Sequence, residues 1–205
     1  MAKRIPRRNV ADREIYPADG ILTPPPAQGT AELIVNQAHF ERVVRQGILR
    51  AEISLDISTA DFKAMLIPLP GLHRRAKSIV QILRELAGRG AEIRLLHAGT
   101  PSGPALVELR QELPANLTIR RCPRLHAKAV VVDARSMYLG SANLTGAGLG
   151  AKGNHRRNIE WGIWTTSPGL IEPVLEEFNM LWEGHHCKKC QRREVCPVPL
   201  EEPAL

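Results

Sequence analysis

Residues 124–146, RLHAKAVVVDARSMYLGSANLTG, set a histidine, a lysine and an aspartate at fixed spacing: His126, Lys128 and Asp133. Along an extended strand side chains alternate faces, so His126 and Lys128, two residues apart, project the same way. An imidazole beside a fixed cation suits phosphoryl transfer. The ring nitrogen attacks phosphorus while the ammonium stabilises the equatorial oxygens. Asp133 lies across the strand, near the following turn. Gly140 permits that chain to turn tightly, and Ser141 and Asn143 beyond it can donate hydrogen bonds to phosphate oxygens. A helix starting around residues 143–146 would add backbone N–H groups. The arrangement occurs once in the chain, which poses the question of what supplies the second half of a two-step reaction.

The elements that must position these groups follow from periodicity. Runs 31–35, 52–58, 91–99, 116–122, 127–133, 137–140 and 158–166 read as strands. Helical patterns fall at 38–48, 73–90 and 104–113. In 73–90 Ile79, Ile82, Leu83 and Leu86 share one face, and Gly88 or Gly90 ends the run. A last helix follows Ser167 as cap and Pro168 as first residue, and buries Ile171, Val174, Leu175, Phe178 and Leu181. The alternation predicts an α/β fold, a mixed and largely parallel sheet with helices on both faces. Residues 30–183 form this domain. Residues 1–29, with Pro24–Pro26 and the basic Lys3, Arg4, Arg7 and Arg8, read as a flexible tail, and 184–205 as a short cysteine-rich tail. The Gly-rich stretch 146–154 lacks a GKS/T ending and reads as a flexible loop at the rim of the site.

The full pattern, H-x-K-x4-D-x6-G-S-x-N, resembles the HKD signature of the phospholipase D superfamily. RRNIEWG (156–162) is similar to the N-x-E segment that follows the signature there. The resemblance implies His126, Lys128, Asp133 and Glu160 as catalytic residues, with Glu160 orienting a histidine, and Ser141 and Asn143 as phosphate ligands. It implies a metal-independent reaction. Members with one motif, such as the bacterial Nuc-type endonucleases, dimerise so that two identical motifs build one site. On that pattern one His126 attacks phosphorus to give a phosphohistidine, and the other protonates the leaving oxygen and then activates water.

The superfamily spans nucleases, lipid hydrolases and cardiolipin-type synthases, so fold alone does not select a substrate. The net charge of +7 across 205 residues favours a polyanion. Arg121, Arg124, Arg156 and Arg157 flank the motif and read as nucleic-acid contacts. A homodimeric nuclease, with DNA preferred over RNA, is the leading expectation. A phospholipase D or phosphatidyltransferase is the alternative, and would need an apolar acyl pocket. A nucleic-acid-binding module without catalysis is a third reading, set against the presence of every reactive residue. No run reaches the roughly 18 apolar residues that a membrane span requires. No secretory leader is evident, and the crowding of cysteines at one end is not a disulfide framework, so a cytoplasmic setting is expected.

Those cysteines form C-x2-C-x5-C: Cys187, Cys190 and Cys196, with His185 and His186 alongside. Two thiolates at C-x2-C spacing can meet one ion, and four ligands are expected for a structural site. His186 is the local candidate for the fourth and Cys122 the distant one. The trio with one remote upstream cysteine is similar to the iron–sulfur staple of RecB-type nucleases. A structural zinc ion or a 4Fe–4S cluster is expected here, with none used in catalysis.

Overall fold

A computed structural model describes residues 29–68, 76–192 and 194–196. The basic segment 1–28, the expected helix start at 73–75, Arg193 and residues 197–205 lie outside the described residues. Within them the apolar runs become β1 (Ala31–Val35), β2 (Ser54–Thr59), β3 (Leu66–Pro68), β4 (Ala76–Ser78), β5 (Glu92–His97), β6 (Leu117–Arg121), β7 (Ala129–Val132), β8 (Ser136–Gly140) and β9 (Trp161–Thr165). The helices are α1 (Ile79–Gly88), α2 (Gly103–Leu109) and α3 (Pro168–Trp182).

Seven strands make one mixed sheet in the order β1-β9-β8-β7-β2-β5-β6. β2, β5 and β6 pair in parallel, and the other four pairings are antiparallel. Followed through these pairings, β1, β2, β5, β6 and β8 run one way, and β7 and β9 oppose them. The parallel part is where helical connections α1 and α2 intervene; the antiparallel part is where turns suffice.

Period-2 alternation splits the sheet between two cores. Leu55 and Ile57 of β2, Ile93 and Leu95 of β5, Val130 and Val132 of β7 and Tyr138 of β8 face α1 and the segment 40–50. The opposite face carries Leu96, Val131 and Met137, which pack under α3 through Ile171, Phe178 and Trp182. Helices therefore cover both faces, as the alternation predicts.

Local differences from the expected elements have plain causes. The helix expected at 73–90 starts only at Ile79, because Ser78 accepts from the Gln81 N–H and Gln81 answers to the Ser78 N–H, a complete capping box. The three residues before it pair with Leu66–Pro68 as the β3–β4 hairpin, which the sequence reading missed. The segment 38–48 is helical, but it winds as a π-helix over Phe40–Gly47 followed by a 3-10 turn over Ile48–Arg50. A Cβ on Gly47 would stand 2.9 Å from the Trp164 ring, so only glycine admits β9 this close.

Candidate active site

The site forms at the end of the sheet where β2 and β8 finish and β7 and β9 begin. His126 is exposed on the loop before β7, and Lys128 is buried at the strand entry, 8% exposed. The Lys128 ammonium donates to the His126 carbonyl oxygen at 2.6 Å and lies 3.1 and 3.2 Å from the two ring nitrogens. Desolvation by burial lowers the Lys128 pKa, and the nearby Glu160 carboxylate opposes that shift. The cation is thus fixed against the imidazole two residues before it on the same chain.

Glu160 is 6% exposed and heavily partnered. Its carboxylate accepts from the Ser141 hydroxyl and, at 2.9 Å, from the Asn158 amide. Its main chain is clamped by Asn36, whose N–H donates to the Glu160 oxygen at 2.9 Å and whose Oδ1 accepts from the Glu160 N–H at 3.2 Å. Asn36 adopts a positive φ of 48° at the end of β1, a conformation asparagine tolerates better than most residues. Fully buried His39 supports it through Nδ1, 3.0 Å from the Asn36 oxygen, and burial holds this histidine's pKa below its ordinary value. Among the described residues no hydrogen bond joins Glu160 to His126 of the same chain.

Asn143 is anchored by its carbonyl end. Oδ1 accepts from the Ala60 and Asp61 N–H groups at 3.0 Å each, beyond β2. That leaves the Nδ2 amide, a pure donor, as the end available to a phosphate oxygen. The turn holding Ser141 and Asn143 is set by Tyr138, whose hydroxyl accepts from the Ala142 N–H at 2.8 Å. The Tyr138 ring passes under Gly140 and Gly162, which are register partners. A Cβ on Gly162 would come 2.3 Å from that ring, so these strands demand glycine where they cross it.

Three expectations need correction. Asp133 does not join the group. It lies at the far end of β7, about 16 Å along the chain from Lys128 at ~3.3 Å per residue. Its carboxylate accepts from the N–H groups of Glu52, Ile53 and Ser54 at 2.8–3.2 Å, tying β7 to the start of β2. Asp133→Ala should therefore cost about 1–3 kcal/mol in denaturant unfolding, through donors left unpaired, and leave the arrangement around His126 unchanged. Secondly, no helix starts at 143–146. The Leu144 N–H is spent on Thr59 Oγ1 and the Thr145 N–H on the Asn143 oxygen. Thirdly, the Gly-rich stretch is packed in its first part, where Leu149 is buried in the main core and Gly148 fits where a Cβ would meet the Asn143 oxygen at 2.6 Å, while residues 152–154 are exposed.

Of the four arginines, Arg124 lines the same cavity as His126. Arg121 uses Nε on the Ala98 oxygen and fastens its loop. Arg156 and Arg157 lie at a short 3-10 turn over Asn154–Arg156, just before Asn158 and Glu160. Asn36, His39, Thr59 and Tyr138 were not flagged. The Asn36 clamp spans 124 residues of sequence, which no local pattern signals.

A family model, cardiolipin synthase PLD-like domain, matches residues 44–182. The chain belongs to the phospholipase D superfamily. Solved structures agree on the fold. The phospholipase D family member Nuc from Salmonella typhimurium is 20% identical with a TM-score of 0.57, over 76% of this chain and 95% of that one. NucT from Helicobacter pylori is 16% identical with a TM-score of 0.57, over 76% and 97%. A comparison with curated protein sequences gives no match. As a phospholipase D-like protein the chain has phosphodiester chemistry as its family-level activity, and the match spans every residue of the assembled site except Asn36 and His39. No helix among the described residues is long and apolar enough to cross a membrane.

Proposed function

We propose that the protein is a homodimeric nuclease that cleaves nucleic-acid phosphodiesters, DNA in preference to RNA, through a phosphohistidine. The observation that carries this reading is an exposed His126, seated against Lys128, at the border of a bare apolar face. Ile159 and Trp161, on either side of Glu160, are 82% and 68% exposed. Leu33, Val35, Leu139 and Ile163 are exposed too, and the register pairs Leu33 with Ile163, Val35 with Trp161, and Leu139 with Ile163. They lie on the face that α3 covers elsewhere. An apolar patch of this extent marks an interface, and a second copy supplies what one motif lacks.

In such a dimer His126 of one copy attacks phosphorus, and the bond to the leaving oxygen breaks. His126 of the second copy donates the proton that oxygen takes up. It then removes a proton from water, whose oxygen attacks the phosphohistidine and frees the first imidazole. Lys128 and the Asn143 amide hold the non-bridging oxygens, stabilising the charge that builds on them. Arg124, Arg156 and Arg157 neutralise neighbouring phosphates, giving salt-sensitive binding. A cytoplasmic setting fits this use.

One feature favours a second reading, phospholipid hydrolysis or phosphatidyl transfer. A largely apolar cavity of about 390 Å³ opens beside His126, between the sheet and α3, lined by Leu96, Leu125, Val131, Leu139, Val174 and Phe178. An acyl chain would need such a pocket. The basic surface favours nucleic acid over it. Incubation in EDTA with labelled DNA, RNA and phosphatidylcholine vesicles separates the two: the nuclease reading requires cut DNA and intact lipid, and cut lipid alone overturns it.

A further inference from the structure

The cavity between the sheet and α3 has a polar floor. Along β2, Leu55 and Ile57 face the main core, so Asp56 and Ser58 take the other parity and face α3, and both line the cavity. They are 6% and 7% exposed. The register sets their depth. Ser58 pairs with Ala129, three residues past His126, and Asp56 pairs with Val131, two residues farther along. The cavity therefore runs from His126 along the sheet toward Asp56.

Each of these two groups has a hydrogen-bonding function left over. Asp56 Oδ1 accepts from Arg94 Nε at 2.6 Å, and Arg94 is held in turn by Asn179 of α3 at 2.9 Å. Among the described residues nothing donates to Asp56 Oδ2. Ser58 Oγ accepts from the Ala129 N–H at 3.1 Å, and among the described residues no acceptor takes its hydroxyl proton. The walls are apolar: Leu96, Val131, Val174 and Phe178. Cys122, the distant candidate for a metal ligand, is buried in the same cluster as Leu96 and Phe178. Among the described residues no three histidine, cysteine or acidic side chains stand together as a metal-holding group, so a zinc ion or iron–sulfur cluster does not fit the residues as placed. An apolar cavity with one open acceptor and one open donor suits a flat ring whose edge carries the complement of both. An acyl chain there would leave the carboxylate oxygen and the hydroxyl desolvated and unpaired, at a cost in free energy.

We propose that this cavity takes an unpaired nucleobase of the strand being cut, with Asp56 Oδ2 accepting an N–H from its edge and the Ser58 hydroxyl donating to a ring nitrogen or carbonyl oxygen beside it. The inference rests on the nuclease reading and names its substrate: single-stranded DNA, or a looped or frayed stretch. Every base carries an N–H donor next to an acceptor on its pairing edge, so the pocket senses that the edge is unpaired rather than which base it is. In a duplex the complementary strand occupies that edge, and the base must leave the stack before it can enter. His126 and Ser58 line the same cavity, so a phosphate at His126 leaves its nucleoside at the cavity mouth. The volume of about 390 Å³ lies in the range of small-molecule sites.

The test uses the full chain and one labelled DNA sequence in three forms: single-stranded, fully paired, and single-stranded with an abasic residue beside the mapped cleaved bond. The wild type should cut the single strand at least ~10-fold faster than the duplex. The abasic residue should lower kcat/KM at that bond ~10-fold, through loss of one base contact. Val174→Trp, which fills the cavity from α3, should bring the intact and abasic strands to within about twofold of each other. Leu181→Trp, two turns farther along α3 and also lining the cavity, is the second filling variant should the first not fold. The readout is a ratio within one preparation, so a partly unfolded sample does not alter it. Equal cutting of paired and single strands, equal cutting of intact and abasic strands, or a folded filling variant that keeps the wild-type ratio overturns the base pocket and leaves the nuclease reading standing. A wild type that cuts phosphatidylcholine vesicles and none of the three DNAs overturns both.

Discussion

Replacing His126 with alanine should reduce phosphodiester cleavage at least ~10³-fold, because on the proposed mechanism it removes the covalent nucleophile and leaves only positioning and charge stabilisation behind. The loss should fall on kcat, and the fold should survive. His126 is exposed, on a loop that leaves the core intact, and its ring contributes to no buried cluster. In a dimer each substitution removes attacker and acid together, so no second histidine on the same chain can compensate. The check is single-turnover cleavage with matched circular dichroism. A variant that folds and cuts within a few-fold of wild type, as defined against the ~10³-fold expectation, would mean that another group carries the reaction.

Trp161→Asp carries the second large effect. Trp161 is mostly exposed, beside Glu160, and pairs with Val35 across β1 and β9. If its indole is buried by a second copy, an aspartate there places a charge in a desolvated apolar contact, a cost of several kcal/mol per protomer pair. The change occurs twice in a symmetric interface. Light scattering should show the wild-type chain as a dimer and Trp161→Asp as a monomer. Activity should fall ~10²-fold or more at concentrations where the wild type stays paired, since each molecule keeps one histidine. Leu33→Asp, on the same face but farther from Glu160, should do the same, which separates loss of pairing from damage to the site.

The α/β layering was legible because it rests on local periodicity. Strands read at 31–35 and 52–58, observed as β1 and β2, and the apolar stripe of α1 follow from patterns a few residues long. The groups within the motif were legible for the same reason, since Lys128 stays two residues from His126 whatever the rest of the chain does. Long-range contacts were not. Asn36 reaches Glu160 across the sheet, and Thr59 reaches the Asn143 turn from β2, with no local pattern to mark either. Asp133 misled for the opposite reason. Its spacing fits the motif, but a four-residue β7 carries it away from His126, to cap β2. The β3–β4 hairpin was hidden because its three-residue strands are shorter than any periodicity can register.

The central claim is that two copies of one motif build a single active site. Titrating wild-type protein with His126→Asn chains, under conditions where subunits exchange, tests it most directly. Activity per wild-type chain should fall steadily as the inactive chain is added in excess, because mixed dimers lack one of the two histidines. Activity per wild-type chain that stays constant throughout the titration, with exchange verified by a labelled subunit, would contradict the account.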